Sequence, residues 1–206
     1  MTPELIQTAI DNALAGKSKL SEEALQVPGF TSSTIRHLMN NLGGLAKNYL
    51  EIGVYRAATF VSTIYGNSYL IPVGIDSFVE FNEEGSKQQE CEETIKKYMN
   101  GFCPLIVADC FEVEAIGLNK TWAQGKGFDL YLYDGGHSVE QQEKGITHFW
   151  DALADTAIIV IDDAIWPQVH NGTLSGLSKV KKSFSINWRL TGPEWWNGIE
   201  IWLIKK

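Results

Sequence analysis

Short apolar runs recur along the chain, and segments with helical spacing lie between them. The runs are rich in β-branched and aromatic residues and are apolar on both faces at most positions. This pattern is typical of buried strands in a parallel sheet, although a short apolar run also fits a buried helix. The predicted strands cover residues 49–53, 70–75, 105–108, 128–133 and 157–161.

Helical patterns fill the intervals between these strands and also precede the first of them. The last predicted helix begins with Ser138 and Gln141 at the spacing of a capping box. Alternation of strands and helices at these lengths predicts right-handed crossovers and a three-layer arrangement. The predicted helices cover residues 3–14, 31–45, 59–65, 85–100 and 138–153.

The C-terminal segment departs from this alternation. Residues 185–190 and 199–204 both have strand patterns, and only eight residues, TGPEWWNG, connect them. A parallel crossover needs about a dozen residues, so a hairpin and an antiparallel last strand are predicted. The sequence thus predicts an α/β, Rossmann-like three-layer sandwich with a mostly parallel seven-stranded sheet and an antiparallel C-terminal hairpin strand. We divide it into a helical N-terminal extension (residues 1–45) and an α/β domain (residues 46–206).

Composition and charge narrow the class of protein. The 206 residues are 44% hydrophobic and 20% charged, as in globular proteins. With 25 acidic and 17 basic residues, the formal net charge of −8 argues against broad binding to nucleic acid or an anionic membrane. Three cysteines without a C-x-x-C pair exclude a zinc ribbon and a disulfide framework. The sequence has no signal-peptide pattern and no run of ~18 apolar residues, so we expect a soluble, cytoplasmic protein.

Acidic residues mark five consecutive predicted strands: the first contains one, and the other four have one at or just past the end. Aspartate is common at such junctions, so one of them alone would be weak evidence. Ligands of open α/β sheets, however, bind beyond the carboxyl ends of the strands, and the repeated pattern predicts a polar ligand site there. The residues are Glu51, Asp76, Asp109, Asp134 and the pair Asp162 and Asp163.

The first strand-to-helix turn is EIGVYRAAT, residues 51–59. It contains neither the G-x-G-x-x-G motif of dinucleotide sites nor the G-x-x-x-x-G-K-[ST] motif of P-loops. Gly53 still lets the backbone approach a ligand, and Glu51 favours a cationic group nearby. Asp76 lies 23 residues beyond Gly53, where a carboxylate that binds ribose hydroxyls is usual.

Five motifs in this order, together with the terminal hairpin, resemble class I S-adenosylmethionine-dependent methyltransferases; they are EIGVYRAAT, GIDSF, ADCFE, YDGGHS and VIDD. The resemblance covers about residues 45–206 and is strongest to small metal-dependent O-methyltransferases of the sugar-modifying, macrocin-methyltransferase type. It implies S-adenosylmethionine as the cofactor, and the N-terminal helices correspond to the variable cap of that family. The family usually has glycine where this chain has Ala57.

The resemblance also implies roles for individual residues at the cofactor site. Glu51 and Gly53 would lie at the methionine end of the cofactor, and Asp76 would hold the ribose with Ser77 beside it. The candidate cofactor-binding residues are Glu51, Gly53, Tyr55, Asp76, Ser77, Asp109, Cys110 and Asp134.

Asp109 would accept a hydrogen bond from the adenine amino group, with the backbone of Cys110 alongside. For Asp109 and Ser77 the alternative is purely structural, because both residue types form turns in which the side chain bonds the nearby backbone. The neighbouring motifs favour ligand contact over that alternative.

Asp134, Asp162 and Asp163 would share one crevice if the fourth and fifth strands are neighbours. Crowded carboxylates resist joint ionisation unless one takes a proton or a cation joins them. An all-oxygen set suits Mg²⁺, with Mn²⁺ as second choice, and in the resembled subfamily these positions bind the metal. Alternatively, one of Asp162 and Asp163 caps the next turn, because adjacent strand residues point in opposite directions.

His137 and Trp166 complete the candidate site. His137 follows Asp134 by three residues, where related catechol-type enzymes have a lysine base, and these two are the candidate catalytic residues. An imidazole with an ordinary pKa of about 6.5 suits proton removal from a hydroxyl, but a histidine that closes the Gly-Gly turn is equally compatible. Trp166, in the loop after the fifth strand, is the candidate substrate contact, although aromatic residues more often belong to a core.

These observations predict an S-adenosylmethionine-dependent methyltransferase that acts on a hydroxyl of a small acceptor such as a sugar or natural product, with assistance from Mg²⁺. The expected partner is that small molecule rather than nucleic acid or a membrane, and a homodimer is also considered. Two alternatives stay open. One is a metal-dependent hydrolase that uses the same carboxylates, and the other is a non-catalytic interaction module that kept the fold.

Overall fold

A computed structural model describes residues 1–80 and 85–206 of the chain, which are built around a seven-stranded sheet. The strand order is β3-β2-β1-β4-β5-β7-β6; β7 runs antiparallel to both neighbours, and the other neighbouring pairs are parallel. The predicted fold class, including the antiparallel hairpin strand, is therefore confirmed. The strands are β1 (Asn48–Ile52), β2 (Ile71–Asp76), β3 (Leu105–Val107), β4 (Phe128–Tyr133), β5 (Leu153–Ile161), β6 (Phe184–Leu190) and β7 (Ile199–Lys205).

Hydrophobic clusters cover both faces of the sheet, which explains why its central strands are apolar at successive positions. Leu130 and Leu132 of β4 belong to one core cluster, whereas Tyr131 and Tyr133 belong to the other. Such two-sided burial is typical of parallel strands covered by helices. The helices are α1 (Pro3–Leu14), α2 (Glu22–Leu25), α3 (Ser33–Gly43), α4 (Ala58–Ile64), α5 (Lys87–Tyr98), α6 (Ala115–Thr121), α7 (Val139–Phe149) and α8 (Pro167–Lys179).

The N-terminal helices pack onto the α/β domain. Ile6 and Ile10 of α1 are buried in the same core cluster as Tyr49 of β1, and α1 contacts α3. The indole N–H of Trp188 in β6 also donates a hydrogen bond to the Gln7 side chain. The division at residue 45, the homodimer and the cytoplasmic location remain predictions. Within the described residues, none of the helices has both the length and the apolar character that crossing a membrane requires.

One error of the sequence prediction lies between α7 and β5. The capping box of Ser138 and Gln141 is confirmed, but the helix ends at Phe149, and a 3₁₀ turn leads to β5, which begins at Leu153. The prediction of helix to residue 153 is therefore wrong. The error arose because the apolar residues near Leu153 fit helical spacing and strand burial equally well.

The sequence prediction also omitted α2, α6 and α8. Helix α8 contains Gly172 and Gly176, which weaken a helical pattern in sequence. In the structure both glycines face α7: an added Cβ would lie 2.5 Å from the Val139 carbonyl oxygen at Gly172 and 2.8 Å from Ile146 at Gly176. The two helices therefore pack closely because these positions have no side chain.

Candidate functional site

A cavity of about 670 Å³ lies beyond the carboxyl ends of the parallel strands. This volume is in the range of small-molecule sites. The loops after β1 to β5, residues 29–31 of the N-terminal extension and the connection between β6 and β7 all contribute to its lining. The predicted site residues that line it are Gly53, Tyr55, Asp76, Ser77, Asp109, Cys110, Asp134, His137, Asp162, Asp163 and Trp166.

The loop after β1 can take its observed path only with glycine at position 53. Gly53 has a φ of +83°, and a Cβ there would lie 1.9 Å from the carbonyl oxygen of Asp134. Its N–H donates to the carbonyl oxygen of Ile75 in β2, which flanks β1 on the side opposite to β4 and Asp134. Ala57, at the N-cap of α4, also has left-handed backbone with a φ of 67°. This explains why glycine suits position 57 in the resembled family.

Asp76 holds the loop after β1 through its carboxylate. Oδ2 accepts hydrogen bonds from the N–H groups of Val54 and Tyr55, both at 2.8 Å, and Oδ1 accepts from the N–H of Phe78 at 2.7 Å. A carboxylate oxygen can accept more than one hydrogen bond, so Asp76 can shape the loop and still offer acceptor capacity to the cavity that it lines.

Asp109 and Ser77 form the turns named as alternatives and also line the cavity. Asp109 Oδ1 accepts from the N–H of Phe111 at 2.9 Å, and this caps the 3₁₀ helix Cys110–Glu112. Ser77 Oγ accepts a long hydrogen bond of 3.4 Å from the N–H of Val79. Burial raises the pKa of the Cys110 thiol to about 12, so this side chain stays a neutral thiol at physiological pH.

Glu51 lies in β1, completely buried, and is not among the described residues that line the cavity. The hydroxyl of Thr59 donates to its Oε1 at 2.5 Å, and the hydroxyl of Tyr49 donates to Oε2. Burial raises the pKa of Glu51 to about 8, with smaller contributions from the charges of Asp76 and Asp162. Glu51 would therefore act on a ligand only through Thr59, which does line the cavity.

The loops after β4 and β5 bring Asp134, Asp162 and Asp163 together. Burial and then the charges of Asp162 and Asp163 raise the pKa of Asp134 well above its ordinary value. Burial and Asp163 likewise raise the pKa of Asp162 to about 7. One Asp162 oxygen, Oδ1, accepts from the N–H of Asp163 at 3.0 Å, and Asp163 has left-handed backbone with a φ of 55°. That unusual conformation lets both adjacent aspartates line the same cavity.

His137 lies against this carboxylate group. Its Nε2 is 2.9 Å from Oδ2 of Asp163, and this contact raises the pKa of His137. The contact lies at ion-pair distance, and the buried Nε2 has no regular hydrogen-bond partner among the described residues. The Trp166 ring packs edge to face against the imidazole, with centroids 4.8 Å apart.

Ligand atoms of Asp134, His137 and Asp163 all lie within 4.8 Å of one another, so these residues could hold a metal ion. Both the chemistry of the donors and the unpartnered Nε2 fit a divalent cation. The sequence-based set of Asp134, Asp162 and Asp163 and the candidate base role of His137 remain predictions.

Several cavity residues were not found from the sequence. Phe30 stacks on Tyr55 with centroids 5.2 Å apart, and Thr31, Trp196 and Asn197 complete this side of the cavity. Residues 29–31 carry no recognisable pattern, and they reach the cavity only because the N-terminal extension packs beside α4. Trp196 could have been suspected from the two tryptophans in the hairpin connection.

Neither a protein-family model nor a curated protein sequence matches the chain. Solved structures do match it, and they have the class I methyltransferase fold that the sequence motifs resemble. An O-methyltransferase from Bacillus cereus in complex with S-adenosylhomocysteine aligns with a TM-score of 0.64 at 12% identity, covering 100% of this chain and 92% of that one.

Two further structures give the same result. The O-methyltransferase TomG from Streptomyces achromogenes, involved in tomaymycin synthesis and solved with S-adenosylmethionine, aligns with a TM-score of 0.63 at 15% identity, covering 100% and 92% of the two chains. The methyltransferase PaMTH1 from Podospora anserina, bound to S-adenosylhomocysteine, aligns with a TM-score of 0.61 at 16% identity, covering 100% and 89%. At such identities the likeness demonstrates the shared fold.

Proposed function

We propose that this protein is an S-adenosylmethionine-dependent methyltransferase that methylates a hydroxyl of a small acceptor such as a sugar or natural product. The observation that carries the proposal is the position of Asp76, which ends β2, fixes the glycine turn after β1 and lines the cavity. In open α/β sheets this is where a carboxylate binds ribose. The matching structures that contain the cofactor or its demethylated product have the same fold.

The loops after β1, β2 and β3 would bind the cofactor. Gly53 allows close approach of the backbone at the methionine end, Asp76 would accept from the ribose hydroxyls, and Asp109 would accept from the adenine amino group. Tyr55, Ser77 and Cys110 line the same part of the cavity. Glu51 is buried in β1 and would act on the cofactor through Thr59, which lines the cavity.

The loops after β4 and β5 would serve the acceptor. When bound, S-adenosylmethionine supplies a methyl group that its sulfonium already activates. The protein has to hold the acceptor oxygen in line with that methyl group and exclude water. An attacking hydroxyl loses a proton, and Asp134 and His137, the candidate catalytic residues of the sequence analysis, both line the cavity and would be able to accept it. Trp166 would pack against the acceptor from the loop after β5.

A divalent ion, with Mg²⁺ as the first expectation, would be held by carboxylates of the same loops. Asp134 and Asp163 offer oxygen atoms, and Asp162 is adjacent. Such an ion would lower the pKa of an acceptor hydroxyl and offset the repulsion among the three aspartates.

Calorimetry with S-adenosylhomocysteine tests the cofactor proposal. We expect binding by the parent and by Asp162→Asn, because the cofactor residues lie over the first three strands. Absence of binding by the folded parent, together with no transfer of radiolabelled methyl groups to a panel of sugars and catechols, would contradict the proposal.

Thermal melts with MgCl₂ and with EDTA test the metal. The parent should melt at a higher temperature in MgCl₂, because an ion that binds only the folded form stabilises it. Asp134→Asn should remove that gain while leaving the binding of S-adenosylhomocysteine largely intact. A parent whose melt responds to neither additive would exclude the metal.

A further inference from the structure

The contact between His137 and Asp163 places a buried ring nitrogen without a regular hydrogen bond beside a carboxylate. Nε2 of the imidazole and Oδ2 of the carboxylate are 2.9 Å apart, at ion-pair distance, and the buried Nε2 has no regular hydrogen-bond partner among the described residues. An imidazole nitrogen and a carboxylate oxygen at this separation, with the nitrogen lone pair or proton otherwise unused, can serve as adjacent ligands of one cation.

We propose that His137 is a metal ligand rather than the general base, and that Asp134, His137 and Asp163 form a mixed nitrogen and oxygen site that selects Mn²⁺ over Mg²⁺. The inference builds on the proposed function, since it concerns the same site, but metal binding can be measured without methyl transfer. In this ligand set the nitrogen of His137 takes the place of the Asp162 oxygen, and Asp162 is not a ligand.

The distances support shared coordination. Adjacent ligands of an octahedral ion with bonds of ~2.1 Å lie about 3 Å apart, and opposite ligands lie about 4.2 Å apart. The separation of 2.9 Å between His137 and Asp163 fits an adjacent pair. The third ligand atom, on Asp134, lies within 4.8 Å of both, which small side-chain movements can close to an octahedral arrangement.

The surroundings fix which atoms face the ion. Trp166 packs edge to face on the imidazole and holds its orientation. Oδ1 of Asp162 already accepts the N–H of Asp163, and this hydrogen bond ties one Asp162 oxygen to the backbone. The left-handed backbone of Asp163 turns its carboxylate toward His137.

The nitrogen ligand determines the choice of metal. Mg²⁺ prefers oxygen ligands and gives up its water reluctantly, whereas imidazole suits transition metals and carboxylates suit Mn²⁺. Between these two ions, two carboxylates and one imidazole therefore favour Mn²⁺ over Mg²⁺, and that preference should depend on His137.

Pulsed EPR on Mn²⁺-loaded protein tests ligation directly. We expect electron spin echo modulation from a ¹⁴N nucleus of a bound imidazole in the parent and its loss in His137→Ala. Calorimetry should give Mn²⁺ binding at least about tenfold tighter than Mg²⁺ in the parent, and a drop of roughly tenfold or more in Mn²⁺ affinity in His137→Ala. Asp109→Asn removes a cavity carboxylate outside the proposed ligand set and should change Mn²⁺ affinity by less than about threefold.

Three results would overturn the inference: no Mn²⁺ binding by the parent, bound Mn²⁺ without ¹⁴N modulation, or unchanged Mn²⁺ affinity in a folded His137→Ala. His137→Gln serves as a second variant if the alanine variant does not fold, and it should also lose the ¹⁴N signal. Binding of S-adenosylhomocysteine is measured on the same samples. If the parent retains that binding, only the metal inference fails, whereas its loss in the parent contradicts the proposed function.

Discussion

Asp76 and Asp134 come at the ends of the two strands that flank β1, yet their carboxylates have different surroundings. Three backbone N–H groups donate to Asp76. Asp134 instead lies beside two further carboxylates, which together with burial raise its pKa well above the ordinary value. We refer to the loops after β1, β2 and β3 as the β1–β3 half of the cavity, and to the loops after β4 and β5 as the β4–β5 half.

The difference indicates that the two halves are prepared for different tasks. In the β1–β3 half, backbone groups already stabilise the negative charges, so its shape is set before any ligand arrives. In the β4–β5 half, carboxylates crowd together, and His137 Nε2 has no hydrogen-bond partner among the described residues. A preorganised half suits a cofactor that binds in the same way in every reaction cycle. A half in which carboxylates repel one another suits a cation and a reacting group.

Gly53→Ala should have the largest effect, because it forces the two halves apart. The new Cβ would overlap the Asp134 carbonyl oxygen at 1.9 Å, in backbone that residues with a side chain rarely adopt. We expect a loss of roughly 3 kcal/mol or more in the free energy of unfolding, measured by urea denaturation. Gly101→Ala is the matched control: its φ is +88° with nothing within 4 Å, so it should cost only about 1–2 kcal/mol. Equal losses would show that contact between the halves is unimportant.

Asp76→Asn should damage the β1–β3 half alone. An amide nitrogen cannot accept the N–H groups that Asp76 now binds, so we expect a loss of about 1–3 kcal/mol in stability and at least a tenfold loss of affinity for S-adenosylhomocysteine. Asp109→Asn disturbs one backbone N–H instead of three and should have a smaller effect on both quantities. Calorimetry that gave parent-like affinity for Asp76→Asn would contradict the preorganised cofactor half.

Glu51→Gln should change how stability depends on pH. The pKa of Glu51 in the folded protein is raised from 4.5 to about 8, so the fold favours its protonated form. Its contribution to stability is complete below pH 4.5, is lost as the pH rises to about 8, and stays lost above that. Denaturation from pH 5 to 9 should therefore show a parent that weakens relative to Glu51→Gln. A Gln substitution at the exposed Glu93 should leave the parent's slope unchanged, and parallel slopes for parent and Glu51→Gln would refute the raised pKa.

Ala57→Gly should have the smallest effect. Left-handed backbone costs alanine about 1–2 kcal/mol relative to glycine, and the greater flexibility of the unfolded glycine chain offsets part of that gain. We expect a net gain of less than about 1 kcal/mol in thermal melts. Ala115→Gly, at the start of α6, should instead lose about 0.5–1 kcal/mol. A loss at both positions would mean that the Ala57 backbone is not strained.

The sequence was a good guide wherever local pattern decides structure. The strands end close to their predicted residues because both faces of the sheet are covered, which requires apolar residues at successive positions. The hairpin was predictable because its connection is too short for a crossover. Prediction was wrong at Leu153 and omitted α8, because residues near Leu153 fit both structures and α8 owes its place to close packing against α7.

Most candidate site residues line one cavity, since strand ends of a parallel sheet meet at one edge. Glu51 does not line it, because its position inside β1 turns the side chain into the core. Phe30 and Thr31 line it without any signal in the sequence, because they arrive from a segment whose place depends on the packing of α1 and α3.

By itself the sequence determined the order of the strands, the antiparallel C-terminal hairpin and the placement of aspartates at the strand ends. These depend on hydrophobic spacing and on connection length, which are local properties of the chain. Only the tertiary structure decided that Gly53 touches Asp134, that Asp76 binds the turn after β1 and that His137 meets Asp163. Those contacts join loops distant in sequence, and their geometry depends on backbone conformations, such as the left-handed Asp163, that are stable only when the whole sheet is assembled.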